Sequence, residues 1–255
     1  MLSKIRKSNI VKSIIVGLLS LCITIMFSIT DFFLFSIEDI ENTIKTYGSE
    51  IMVTLISSGI MSFILSVVAY NVGRKLSKYF YFSKEGLKRK DIILLICGSV
   101  IFPILLTLFD IMLEGYIEVG FKSVSFNLYN LISSLLYNGL LEELWLRYGL
   151  LTFIIYVIYH VFYSKKEEKV NKNIKIIGLI VTSLFLFNFQ FNSIFSLYDF
   201  SWVLLFRAVL SDLALSLYFG YYYLKYDIKK TIFCHCIFIG VYMGVMPILV
   251  KLLFG

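Results

Sequence analysis

Two adjacent carboxylates and an arginine, Glu142, Glu143 and Arg147, stand in the middle of an otherwise apolar run over residues 126–163. Ionisable side chains at membrane depth cost a few kcal/mol each, so membrane proteins usually pair them and keep them for function. Arg147 follows Glu143 at i+4, the helical spacing at which two side chains meet. The arginine is therefore predicted to neutralise Glu143 and to leave Glu142, about 100° around the helix, freer to take up a proton.

A carboxylate in a cavity of low dielectric constant can activate water, provided that another group stabilises the oxyanion that forms. Glu142 is the candidate base, and His235, which lies in the last apolar run, is the candidate oxyanion donor. A second interpretation stays open, in which Glu143 and Arg147 form a buried ion-pair cluster that only fixes how the helices pack.

Composition identifies the class of protein. The chain has 255 residues, of which 59% are hydrophobic and 16% charged, whereas a soluble domain carries about a quarter charged residues. We therefore expect an all-α, polytopic membrane helix bundle, with residues 1–255 in one integral membrane domain. The net charge of +7 comes from Lys and Arg grouped in short loops between apolar runs, which indicates membrane topology and argues against a nucleic-acid-binding face.

The apolar runs predict about seven spans, with the N-terminus in the cytoplasm because the basic loops fall on that side. The long fourth run enters from outside and leaves inside, so it must cross an odd number of times. One crossing with a broken or re-entrant piece fits best, with Gly139 and Gly149 as the break points and a cavity beside Glu142. The runs are residues 13–35, 51–73, 92–113, 126–163, 174–195, 202–224 and 231–253.

The remaining polar residues of the spans suggest structure rather than chemistry. Arg207 and Asp212 lie five residues apart on one predicted helix, so each is expected to pair with a neighbouring helix. Cys234, His235 and Cys236 are consecutive, and consecutive helical side chains point about 100° apart, so they cannot chelate one metal ion. No metal site and no cofactor is predicted.

The segment 142–147, EELWLR, matches the EExxxR motif of the CPBP family, which comprises CAAX-prenyl proteases and bacteriocin-processing or self-immunity proteins (also called Abi). The resemblance covers residues 126–240, because segment 215–235 resembles the family's closing helices, the last of which carries a histidine. It implies an intramembrane endopeptidase of the glutamate type. Glu142 would activate water, Glu143 and Arg147 would support it, and His235 would stabilise the oxyanion.

The chain departs from the family pattern at two positions. When Thr182 and Ser183 are aligned with the family's small polar pair, Gln190 stands where the second motif has a histidine, and a shift of one residue would place Phe189 there. Ile239 stands where the third motif, HxxxN, has an asparagine. Gln190 could still orient a water by hydrogen bonding, whereas Ile239 offers no polar group.

Two functions follow from these residues. The first is an intramembrane endopeptidase of the bacterial plasma membrane, acting on a membrane-associated or secreted peptide in peptide processing or bacteriocin self-immunity. The second is a catalytically impaired relative that serves as a membrane scaffold or partner-binding protein. The expected partners are membrane lipids, a peptide or membrane-protein substrate and a membrane-protein partner, and nucleic acid is not expected.

Overall fold

The computed structural model describes residues 2–35, 40–76, 89–112, 126–162, 170–197 and 201–254. These residues form seven long helices and no strand, if α- and π-helical segments that follow without interruption are counted as one helix. The all-α bundle is thus confirmed. The helices are α1 (Leu2–Phe35), α2 (Ile40–Leu76), α3 (Arg89–Met112), α4 (Leu128–Phe162), α5 (Lys172–Leu197), α6 (Trp202–Lys225) and α7 (residues 228–254).

Six of these helices, all but α5, contain a described stretch that is long and apolar enough to cross a membrane. Helix α5 has 26 residues, a length that also suffices for a span. Large apolar side chains such as Leu65, Leu94 and Leu105 are exposed on the outside of the bundle, where a soluble protein would place polar ones. The chain is an integral membrane protein.

Helix α4 does not break at Gly139 or Gly149. The backbone of Glu143, between the two π-helical segments, keeps right-handed helical angles of φ −63° and ψ −38°, so the chain stays helical throughout. The irregularity lies where the glycines predict it, but it takes the form of a widened helix. The successive segments of α4 are α-helical Leu128–Ser134, π-helical Leu135–Glu142 and Leu144–Leu151, and α-helical Thr152–Phe162.

Helices α1 and α2 form a hairpin held by small polar residues. Thr24 Oγ1 donates to Ser62 Oγ at 2.6 Å, and Ser20 Oγ donates to the Ser62 carbonyl at 3.1 Å. Helices in lipid gain little from hydrophobic burial, so close packing of small residues and hydrogen bonds between helices hold them together. The hairpin is joined to α4 by Trp145, whose Nε1–H donates to Ser66 Oγ at 2.6 Å.

Gly149 allows α2 and α4 to approach closely. A Cβ atom at this position would lie 2.7 Å from the Ala69 Cβ and 3.1 Å from its Cα. Gly149→Ala is expected to lower the free energy of unfolding by about 1–3 kcal/mol, because the backbone of α2 must move. Thermal unfolding of the purified protein in detergent measures this change.

Gly240, in α7, provides the matched control for Gly149. A Cβ added there meets nothing within 4 Å. Gly240→Ala is therefore expected to leave stability unchanged or raise it by up to about 1 kcal/mol, because alanine is the better helix former. Equal stability of the two variants would contradict the close packing of α2 against α4.

The beginning of α7 is fixed by Asp227, which lies outside the spans. Its Oδ1 accepts the Lys230 backbone N–H at 2.9 Å, and its Oδ2 forms an ion pair with Lys230 Nζ at 3.0 Å. Partial burial opposes ionisation, but these hydrogen bonds and the lysine charge outweigh it and lower the pKa of Asp227 below its usual value. The cap sets the register of α7 and therefore the position of His235, about two turns further on.

Candidate functional site

Glu143 lies at the centre of a buried cluster. Its side chain is fully enclosed, and Arg147 Nη1 approaches Glu143 Oε1 at 3.5 Å. The predicted i,i+4 ion pair is thus confirmed. His235 Nδ1 lies 2.8 Å from the same oxygen, so a residue from α7 and a residue from α4 converge on one carboxylate. The cluster joins the two helices inside the bundle.

His235 makes its hydrogen bond to Glu143, the second carboxylate of the pair. The ring also stacks on Phe219 of α6, with the centroids 4.3 Å apart. Since a carboxylate can only accept, Nδ1 carries the proton in this contact. The other nitrogen, Nε2, can donate as well only when the ring is protonated.

A cavity of about 500 Å³ lies beside Glu142, between α4, α5, α6 and α7. This confirms the expectation of a cavity at that position. A water molecule occupies about 30 Å³ in the liquid, so the space has room for several waters or for part of a peptide. Arg147, His235, Asp212 and Tyr242 also line the cavity, so ionisable and apolar side chains share its wall.

The π-helical segments of the described residues all contribute to this cavity. Besides the two in α4, one lies in α6 (Val209–Ala214) and one in α7 (Gly240–Val245). A π-helical turn differs from the α-helical period and changes the direction of the side chains that follow, and such turns are frequent at functional sites. Their cavity-lining residues are Tyr137, Asn138, Glu142, Trp145, Leu146, Arg147, Ser211, Asp212, Tyr242 and Met243.

Glu142 differs from its neighbour Glu143 in every contact. It lines the cavity, and it has no hydrogen-bond or ion-pair partner among the residues that the structure describes. Glu143, in contrast, is closed inside the protein with both a cation and an imidazole. One carboxylate therefore holds the fold together, and the other faces space that water can enter.

The two positions at which the chain departs from the motifs that the resemblance implies lie on different helices. Ile239 is buried and lines the cavity, so the wall is apolar at the place where the third motif would supply an amide. Gln190 lies on α5, but its side chain is outside the described part of the chain. Leu186, four residues before it, lines the cavity.

A second ion pair, which is partly buried, lies next to the cavity. Arg207 of α6 donates from Nε to Asp110 Oδ1 at 2.6 Å and from Nη2 to Asp110 Oδ2 at 3.2 Å. The Tyr242 hydroxyl of α7 donates to the same Oδ2 at 3.1 Å. The prediction that Arg207 pairs with a neighbouring helix is confirmed, and the contact joins α3, α6 and α7.

The prediction for Asp212 was wrong. It forms no ion pair with a neighbouring helix in the described residues; its side chain lines the cavity, as Glu142 of α4 does. The physical reason is the π-helical segment that contains it, which directs Asp212 towards the cavity instead of towards a cation. Neither its spacing from Arg207 nor the local composition signals that segment.

The cysteines do not form a metal site with His235. Cys234 is fully buried, and Cys236 Sγ contacts the Leu135 carbonyl at 3.9 Å. Within the described residues, no group of three or more His, Cys, Asp or Glu side chains is arranged to hold a metal ion.

The chain matches no family model, no curated protein and no solved structure.

Proposed function

We propose that this protein is an intramembrane endopeptidase of the CPBP type, in which Glu142 activates water for attack on a peptide bond. The observation that supports this most is the asymmetry of the two adjacent carboxylates. Glu143 is paired with Arg147 and His235, whereas Glu142 faces a cavity of about 500 Å³ and has no hydrogen-bond or ion-pair partner among the described residues. Hydrolysis requires a base with access to water that no hydrogen bond or ion pair already occupies.

The chemistry assigned to each residue follows from its contacts. Glu142 would accept a proton from a water in the cavity as the oxygen attacks the carbonyl carbon. His235, held by Glu143, would stabilise the developing oxyanion from its second nitrogen when the ring is protonated. Arg147 would act as a positioning residue, because it fixes Glu143 and through it the imidazole.

The substrate class that fits is a membrane-associated or secreted peptide, processed for export or in self-immunity to a bacteriocin. The cavity lies between helices α4, α5, α6 and α7 and has both polar and aromatic walls, which suits a peptide that enters from the lipid. We place the protein in a bacterial plasma membrane with the N-terminus in the cytoplasm, because the basic residues between the spans then face inward.

A second candidate function is a scaffold or partner-binding protein that retains this fold without catalysis. The observation that favours it is Ile239, which makes the wall apolar where a second oxyanion donor would stand. The cluster of Glu143, Arg147 and His235 would be kept in such a protein because it joins α4 to α7. The two functions differ in whether Glu142 is needed.

Glu142→Gln tests the proposal, because the amide keeps the shape of the side chain but cannot accept the proton. We expect the products of cleavage to fall by about 100-fold or more, with the amount and the unfolding temperature of the protein unchanged. Mass spectrometry of peptides from membranes and medium of cells that express each variant measures the products. Leu140→Met, at a lipid-exposed position two residues earlier, is the matched control.

The outcomes separate the two candidate functions. Loss of the same set of peptides in repeated Glu142→Gln cultures, with the Leu140→Met profile unchanged, supports the endopeptidase. An identical peptide profile in wild type and Glu142→Gln would contradict the proposal that the protein is an endopeptidase. If a stoichiometric membrane protein then copurifies with both variants, the scaffold is the better description.

A further inference from the structure

We propose that Asp212 is the second carboxylate of the reaction, and that Asp212 and Glu142 share one proton and act on the same water. This inference rests on the proposed function and assigns a further catalytic residue to it. Asp212 lies on α6 and Glu142 on α4, and both line the same cavity. The cavity of about 500 Å³ has room for water between the two side chains.

The other ionisable groups around the cavity are already engaged. Arg147 and His235 both contact Glu143, and the Tyr242 hydroxyl donates to Asp110. The cavity-lining residue of α5 in the described part of the chain is the apolar Leu186. No cation is thus bonded to either of the two carboxylates among the described residues.

Arg207, the nearest cation on the helix of Asp212, is also engaged. Its Nε and Nη2 both donate to Asp110 on α3, so the guanidinium is directed to another helix. Two ionised carboxylates facing one cavity of low dielectric constant would repel each other, and a single shared proton removes that repulsion.

A shared proton also supplies a hydrogen-bond donor for the substrate, which Glu142 acting as the base cannot be. Peptide hydrolysis needs a base for the attacking water and a hydrogen-bond donor for the carbonyl oxygen. His235 can supply that donor only when protonated on both nitrogens, and Ile239 supplies none. A protonated Asp212 is a donor within the same cavity, so a pair with one proton provides the base and the donor together, as two carboxylates do in aspartic proteases.

The reaction balances with these two groups. Glu142 takes one proton from water while the oxygen forms a bond to the carbonyl carbon, and Asp212 gives its proton to the carbonyl oxygen. The tetrahedral diol then returns one hydroxyl proton to Asp212 as the C–N bond breaks, and Glu142 gives its proton to the leaving nitrogen. One water is consumed, a carboxylic acid and an amine are formed, nothing is oxidised or reduced, and the pair again holds one proton.

Infrared spectroscopy of the purified protein tests the shared proton without a substrate. Difference spectra against the double variant Glu142→Gln/Asp212→Asn cancel the other carboxyl groups. Wild type is expected to show the carbonyl band of a protonated carboxyl titrating in two steps, because interacting acids lose their protons successively. Asp212→Asn and Glu142→Gln should each leave a single step, and Ser216→Ala, a cavity-wall change without an ionisable group, should keep both.

The peptide assay tests the catalytic role. In cells that express Asp212→Asn, the same cleavage products as in Glu142→Gln are expected to fall by about 100-fold or more. If this variant does not fold, Asp212→Ser removes the carboxyl group with a smaller side chain and replaces it in both experiments. Its expected results are the same single titration step and the same loss of peptides.

Each outcome bears on one of the two proposals. If the cleavage products persist in cells that express Asp212→Asn but disappear with Glu142→Gln, the role of Asp212 is overturned and the endopeptidase stands. If neither substitution changes the peptides, the proposed function fails, and the catalytic pair fails with it. Two titration steps that persist in Asp212→Asn would also overturn the pair, because the second group would then lie elsewhere.

Discussion

Replacing Arg147 by methionine is expected to lower the free energy of unfolding by about 3–5 kcal/mol. Removing one partner of a buried ion pair leaves the other charge uncompensated in a medium that solvates it poorly. Glu143 has a relative exposure of 0%, and only the His235 ring would remain to stabilise its charge. Unfolding by sodium dodecyl sulfate in mixed micelles, followed by circular dichroism, measures the loss.

Two variants serve as controls for Arg147→Met. Glu142→Gln, next to Glu143, should change stability by less than about 1 kcal/mol, because the amide keeps the shape of the side chain and leaves the contacts of Glu143 with Arg147 and His235 intact. The double variant Glu143→Gln/Arg147→Met should recover most of the loss, since replacing both members of a buried pair is often neutral. A double variant as unstable as the single one would show that the charge of Glu143 is not the cause.

Replacing Asp110 by alanine is expected to cost about 3 kcal/mol, at the lower end of the range for buried pairs. Asp110 has a relative exposure of 7% and accepts hydrogen bonds from Arg207 and Tyr242, so its loss removes one set of polar contacts between α3 and helices α6 and α7. The Arg207 side chain is 27% exposed, and partial solvation reduces the penalty of leaving it unpaired. The same unfolding titration measures the effect.

Tyr242→Phe separates the two contacts of Asp110. It removes the hydroxyl that donates to Asp110 Oδ2 at 3.1 Å and accepts from Arg207 Nη2 at 3.4 Å, and it keeps the ion pair between Asp110 and Arg207. The expected loss is about 1–2 kcal/mol. If Tyr242→Phe and Asp110→Ala were equally unstable, the ion pair would contribute nothing, and the account of this cluster would be wrong.

The sequence by itself determined the class of fold and one contact of the site. Hydropathy over about 20 residues decides whether a helix can span the membrane, and this is a local property of the chain. The pairing of Arg147 with Glu143 follows from i,i+4 spacing, which α-helical geometry converts into a contact. The cavity beside Glu142 was also predicted, because a charged motif in an irregular helix must face protein or water.

Only the tertiary structure decided which side chains meet around that cavity. His235 pairs with Glu143, and Asp212 lines the cavity, although neither contact follows from spacing within one helix. The direction of a side chain depends on the number of residues in every helical turn before it. A π-helical turn contains one residue more than an α-helical turn, so it rotates the side chains that follow. The glycines of α4 indicate an irregular helix but not that it is π-helical, and the π-helical segment Val209–Ala214 of α6 contains no glycine at all. The assignment of Glu142, Asp212 and His235 to one cavity is therefore a property of the bundle.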